Sequence, residues 1–268
     1  MCLDITYYSD LEPLHDYFPG LVADPDVTGF DPEAGAHIFA IGHKKYPVVI
    51  MDDEGRYHLK NFEWGIIADY MDTQEKIYML RRNMVNARSE KILDDKRSFW
   101  YRIRKNRCLI PVMGIYEHRE IKGWKNKVPY LVQLKDRPLF CIPGLYFYNN
   151  RMPSDPETGE MRGMFAMVTR WGNEVMRNIH NSGDNAYRMP LFLPKQTELE
   201  WLKPGLRDDE MKNILAYETP SDSLQYHTVY SIRGKTPRKD GRNKYESYEF
   251  ANLPPLGNDD GTLQQALF

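Results

Sequence analysis

Cysteine is scarce in this 268-residue chain: Cys2, Cys108 and Cys141 stand far apart, and no two form a CxxC pair. A set that is odd in number and scattered argues against a disulfide framework and gives no zinc-site signature, so neither a metal nor another cofactor is expected. Long apolar runs are missing as well. None approaches the ~18–20 residues needed to cross a bilayer, and mean hydropathy is −0.64. No basic segment followed by an apolar one opens the chain, so a secretory signal is not expected, and a soluble, cytoplasmic protein away from membranes is. An excess of one charge is also lacking. The 36 Lys and Arg against 38 Asp and Glu leave a formal charge of −2, so whole-chain charge gives no push toward nucleic acid. Internal repeats and low-complexity linkers are absent.

What is present is a series of short strand-like runs: "HIFAIG", "YPVVIMD", "CLIPVMGIYEH", "YLVQL", "LFCIPGLYF", "MFAMVTR" and "MPLFLP". Each is rich in aromatic and β-branched residues and bounded by turn formers. "DDEG" at 52–55 reads as a hairpin turn. Helical patterns fall near 73–84, 89–103, 173–180, 197–203 and 208–218, the fourth with Thr197 and Glu200 placed as a capping box. Strands dominate the centre without regular βαβ alternation. The expected fold is α+β: a single domain with a mostly antiparallel, barrel-like central sheet flanked by helices. The turn-rich end, "ANLPPLGNDDGTLQQALF", is expected to be loosely packed.

Charge is unevenly spread. Residues 81–108 are strongly basic, with Phe99, Trp100 and Tyr101 interleaved, and 232–244 adds a second basic stretch. A solvated face is the ordinary explanation of such runs, and a nucleic-acid groove is the alternative, since bases stack on aromatics while cations track phosphates.

Cys108 and Cys141 lie inside apolar runs and read as core residues. Cys2 differs, because trimming of Met1 would leave a free α-amine and a thiol on one residue. A neutral amine, with pKa near ~7.7–8.0, adds to an aldehyde to give a Schiff base, and the neighbouring thiol then closes a five-membered thiazolidine. Asn86 and Arg88 in "MVNARSEK" point the same way if that stretch is extended, an arrangement suited to a sugar or phosphate. The same residues also fit a turn into a helix capped by Ser89. Glu117, at the end of an apolar strand, is either solvated or desolvated into a general acid/base. His180 stands at the end of a predicted helix, where the dipole favours imidazolium.

Taken in order, Cys2, "NARSE" at 86–90, "RCLIPVMGIYEH" at 107–118, "PGLY" at 143–146 and "VT…IH…RMP" from 168 to 190 form one ordered set. That set resembles the SRAP family (SOS response-associated peptidase, abasic-site processing), over roughly residues 1–235, leaving 236–268 as an extension. The resemblance implies a monomer that binds single-stranded DNA carrying abasic sites and crosslinks to it through Cys2, in a bacterial cell at the damaged nucleoid. It also implies roles: Cys2 as nucleophile, Asn86 at the sugar, Glu117 as acid/base and His180 assisting Schiff-base formation. Arg88, Thr169 and Arg188 fall at DNA-backbone contacts. The chain departs from the family where Leu3 and Asp4 replace Gly-Arg and where His118 replaces a tryptophan. It departs again where "IIADYMD" replaces a proline-tryptophan segment and where "NSGDNAY" is inserted at 181–187. Two other functions share parts of this pattern: an N-terminal-cysteine peptidase or amidohydrolase, and a single-strand-binding module in which Cys2 is incidental.

Overall fold

The computed structural model describes residues 2–27, 30–155, 159–234 and 238–260. The strands are β1 (Asp4–Thr6), β2 (Val22–Ala23), β3 (Ile38–Phe39), β4 (Lys45–Met51), β5 (Tyr57–Trp64), β6 (Asn86–Arg88) and β7 (Arg107–Val112). They continue as β8 (Gly114–Arg119), β9 (Val128–Leu134), β10 (Phe140–Tyr148), β11 (Gly163–Trp171), β12 (Arg188–Pro190) and β13 (Leu224–Thr228). The helices are short: α1 (Pro13–Tyr17), α2 (Pro32–Gly35), α3 (Gln74–Leu80), α4 (Ser89–Ile92), α5 (Phe99–Arg102), α6 (Glu174–Ile179), α7 (Lys195–Leu202) and α8 (Asp208–Leu215).

The strands form two sheets. The larger runs β12-β11-β10-β7-β4-β5-β2, and a parallel pairing of β5 with β11 (Glu63 with Met164, Trp64 with Phe165) closes its central strands on themselves. The smaller runs β13-β9-β8-β1-β3 and is antiparallel throughout. The fold is thus a mixed α+β domain, as the strand-rich sequence implies, with a second sheet beside the closed one.

Side-chain alternation explains how both faces of the larger sheet are covered. Val48, Ile50, Cys108 and Ile110 join one buried cluster, together with Ile5, Ile115 and Val132 from the smaller sheet. Their neighbours Val49, Leu109 and Cys141 point the other way and pack with Phe18, Trp201 and Met211. This period of two is what strands buried on both faces require. Trp201 of α7 is fully buried, and its indole N–H donates to the carbonyls of Cys108 (3.1 Å) and Gly144 (3.3 Å).

The sequence run 108–118 is not one strand. It breaks at Met113, so β7 stays in the closed sheet while β8 passes to the smaller one. Gly114 permits that crossing: a Cβ there would lie 2.6 Å from the Leu131 side chain and 3.1 Å from the Val132 carbonyl oxygen. The 89–103 region likewise forms two short helices, α4 and α5, rather than one. Thr197 sits inside α7 rather than capping it, because the helix already begins after Pro194.

The end of the chain is not loose over its described part. Arg119, with no exposed surface, donates to the carbonyls of Pro254, Pro255 and Asn258 and to the Asp259 carboxylate. Phe250, Leu253 and Leu256 pack on the core. A buried guanidinium needs acceptors in fixed places, and this turn-rich segment supplies them as carbonyls. Residues 261–268 lie outside the described part.

Candidate active site

Three strand pairings assemble the site. Antiparallel β1 and β8 pair Asp4 with Tyr116 and Ile5 with Ile115, which carries the chain start toward Glu117. Parallel β6 and β11 pair Asn86 with Met167 and Arg88 with Thr169. Antiparallel β12 sets Arg188 opposite Trp171. α6 ends at His180, whose backbone N–H still closes the helix on the Met176 carbonyl at 2.7 Å; Asn173 caps the other end.

The result is a buried cluster at the start of the chain. Cys2, Glu117 and His180 are all buried, and donor atoms of the three lie within 4.8 Å of one another. His180 Nδ1 is 3.8 Å from Glu117 Oε1 and 2.8 Å from the Arg188 carbonyl oxygen. Asn86 Nδ2 donates to the Cys2 carbonyl at 2.9 Å, which fixes the backbone at the start of the chain. Two acceptors, Asn86 Oδ1 and Glu117 Oε1, are buried and take no hydrogen bond from any described residue. In a low-dielectric interior an acceptor left without a donor is costly.

Burial shapes the electrostatics. It pushes the Cys2 thiol well above its ordinary pKa, and the Glu117 carboxylate pushes it further. Burial also raises the Glu117 carboxyl, although the neighbouring His180 charge opposes the rise. The resting site therefore holds a protonated thiol next to a carboxyl group that retains its proton readily.

A pocket of about 220 Å³ opens beside this cluster, lined by Cys2, Asn83, Asn86, Arg88, Thr169, Asn185 and Arg188. Of the candidate site residues singled out in the sequence, Cys2, Asn86, Arg88, Thr169 and Arg188 line this pocket, and Glu117 and His180 lie in the cluster behind it. Asn83 and Asn185 went unrecognised there. Asn185 comes from the 181–187 insertion, and its side-chain oxygen accepts from Arg88 Nη2 across the pocket. Arg188 is held bidentately by Glu90 at 2.9 Å per arm and also donates to the Thr169 carbonyl. The Arg188 guanidinium lies 5.3 Å from the ring centre of Trp171, which is 58% exposed.

The departures noted in the sequence have structural counterparts. Asp4 is buried and binds Arg233 (Nε to Oδ1, 3.0 Å) and His37 (Nε2 to Oδ1, 2.7 Å). Burial alone would raise its pKa, but the hydrogen bonds from His37 and Arg233 outweigh that and hold it low. In "IIADYMD", Ile66, Ile67, Ala68 and Met71 are buried, while Tyr70 is 49% exposed and is the one aromatic of the segment that faces outward. Several cations of the basic run 81–108 are already engaged within the fold. Arg81 pairs with Glu63, Arg102 with Asp69 and Arg104 with Asp208, while Arg107 binds backbone carbonyls. Phe99 and Trp100 pack against the core.

Comparison with known proteins decides the lineage. The family model described as SOS response associated peptidase (SRAP) matches residues 1–235. The chain belongs to the SRAP family. Among curated SRAP relatives, "Abasic site processing protein YoqW" of Bacillus subtilis is 26% identical over 249 residues, 92% of this chain and 100% of that protein. "Abasic site processing protein YobE" of the same organism is 26% identical over 233 residues, covering 87% and 95%. A solved protein from Bacteroides thetaiotaomicron superposes with a TM-score of 0.71 at 26% identity, covering 85% of this chain and 92% of that one. One from Bordetella bronchiseptica, at 20% identity and TM-score 0.65, covers 86% and 100% and shares the fold. No helix among the described residues of this SRAP chain is long and apolar enough to cross a membrane.

Proposed function

We propose that this protein processes abasic sites in single-stranded DNA by forming a covalent crosslink through Cys2 once Met1 has been removed. The observation that carries the reading is the buried Cys2–Glu117–His180 cluster at the wall of a pocket lined with amides and arginines. The neutral α-amine attacks C1′ of the ring-opened sugar, and water leaves as the Schiff base forms. The thiol then adds across the C=N bond: sulfur bonds to C1′ and the thiol proton ends on nitrogen, giving a thiazolidine. One water is lost overall, and no electron donor or acceptor is needed.

In this sequence Glu117 carries the protons. Its readily protonated carboxyl donates to the departing hydroxyl and later accepts from the thiol. His180, oriented through its Nδ1 contact with the Arg188 carbonyl, supports the iminium stage. Asn86 faces the sugar with its Oδ1, which takes no hydrogen bond from any described residue, while Arg88, Thr169 and Arg188 border the phosphates. Residues 1–235 carry this chemistry, and the segment after them braces β8 through Arg119.

The protonated resting thiol favours this order of events over a peptidase, in which a thiolate must attack first. The test is a denaturing gel of purified protein with an abasic single-stranded oligonucleotide. Mature protein gives a shifted band, whereas Cys2→Ala and protein carrying a residue ahead of Cys2 give none. A mature protein that leaves the oligonucleotide unshifted refutes the proposal, and turnover of amide substrates without DNA would favour the peptidase instead.

A further inference from the structure

We propose that the mature N-terminus is also a site for a soft divalent cation such as Zn²⁺, and that occupancy reversibly switches the reactive end off. The inference rests on the reading that Cys2 becomes the first residue, since the α-amine is one of the ligands.

The donor set is already gathered. Cys2 Sγ, a Glu117 carboxylate oxygen and a His180 ring nitrogen lie within 4.8 Å of one another, and all three residues are buried. In a tetrahedral zinc site, bond lengths of about 2.0–2.3 Å set ligand atoms roughly 3.3–3.6 Å apart. His180 Nδ1 donates to the Arg188 carbonyl oxygen at 2.8 Å, the kind of outer contact that fixes a metal-binding imidazole and leaves Nε2 as the ligating nitrogen. Glu117 Oε1 is buried and accepts no hydrogen bond from any described residue, so an unsatisfied carboxylate oxygen stands within the cluster. Amine and thiolate on adjacent carbons of Cys2 close a five-membered chelate on a metal. With Glu117 and His180 they complete four ligands.

Sulfur and imidazole donors select zinc-like ions over magnesium or calcium. Such a site is closed, with no position left for water or substrate, so it is inhibitory rather than catalytic. Ligation takes both groups that must react with the aldehyde: the amine lone pair goes to the metal, and the thiol gives up its proton to bind as thiolate. The metal is not consumed, and a chelator restores the free amine and thiol. The pocket lined by Cys2 provides the path of approach.

The experiment titrates Co²⁺, then Zn²⁺, into full-length mature protein stripped with EDTA, following absorption. Expected are a near-ultraviolet thiolate-to-cobalt band and the intense visible bands of tetrahedral Co²⁺, with one equivalent bound and bleached by Zn²⁺. Protein carrying an extra residue ahead of Cys2 keeps its fold but loses the chelate, and should bind at least about tenfold more weakly. Cys2→Ala should lose the near-ultraviolet band. In parallel, excess Zn²⁺ should stop crosslinking to abasic single-stranded DNA and EDTA should restore it. Mature protein that crosslinks in EDTA but shows no thiolate band overturns the metal site and leaves the proposed function standing. Cys2→Ala and extended proteins that bind the metal as tightly as the mature protein also overturn it. If no crosslink forms even in EDTA, the functional reading fails, while the cobalt spectrum still decides the metal site.

Discussion

Glu117→Gln separates chemistry from packing, because glutamine keeps the shape of glutamate but cannot carry or release the proton. General acid–base catalysis contributes typically 10²–10⁴ in rate, so crosslinking should slow by about 10²-fold, a barrier change of roughly 2.7 kcal/mol. DNA affinity should be unchanged, since Glu117 lies behind the pocket rather than among its lining residues. Stability should move the other way. Burial raises the Glu117 pKa, with His180 opposing, so the folded state holds this proton more tightly than the unfolded chain does. The stability tied to that proton is fully present below the ordinary glutamate pKa of ~4.3 and is lost as pH rises through the folded-state value. Glutamine is neutral at every pH and escapes the loss. The two proteins should melt together near pH ~4, with the variant more stable near pH ~8 by on the order of 1 kcal/mol, or about 2–4 °C. The assay is single-turnover gel kinetics with saturating abasic oligonucleotide, paired with thermal melts at both pH values. A rate within about threefold of wild type removes Glu117 from the mechanism. A lower melting temperature for the variant at the higher pH would show that the His180 ion pair outweighs the cost of burying the charge.

Trp171 stands exposed beside Arg188 at the pocket, so Trp171→Ala should weaken single-strand binding by roughly 1–3 kcal/mol while the crosslink rate at saturation stays the same; a fluorescence anisotropy titration reads the difference, and unchanged affinity rules out base stacking there. Burial lowers the His118 pKa to about 4, so the stability linked to its neutral form is fully present above ~6.5 and lost as pH falls toward the folded value. His118→Gln should flatten denaturant-measured stability across that window by at most about 3 kcal/mol, less whatever solvent screening remains; identical slopes for both proteins would refute the burial argument. Ending the chain after residue 248 removes the carbonyls of Pro254, Pro255 and Asn258 and the Asp259 carboxylate from the buried Arg119. An uncompensated buried charge costs on the order of 3–5 kcal/mol, so the truncated protein should unfold at lower urea, and adding Arg119→Met should recover part of the loss.

Local chemistry alone determined much of this molecule. Alternating apolar residues specify strands buried on both faces, and scattered cysteines without CxxC spacing are consistent with the free thiols observed at all three positions. Cys2, Asn86, Glu117 and His180 were legible as candidates because few residue types can do this chemistry, and their order along the chain fits the SRAP family. Tertiary structure decided what those residues could not. Whether Glu117 meets solvent or Cys2 depends on the break at Met113 and the β1–β8 register, a pairing across more than a hundred residues that no local pattern encodes. Arg81, Arg102 and Arg104 looked like a nucleic-acid stretch, but distant carboxylates at Glu63, Asp69 and Asp208 pair with them. The turn-rich end looked loose because its own side chains bury little, yet its backbone carbonyls complete the shell of a guanidinium on β8. Sequence names the groups able to react. Long-range register and the need to pair every buried charge decide which of them meet.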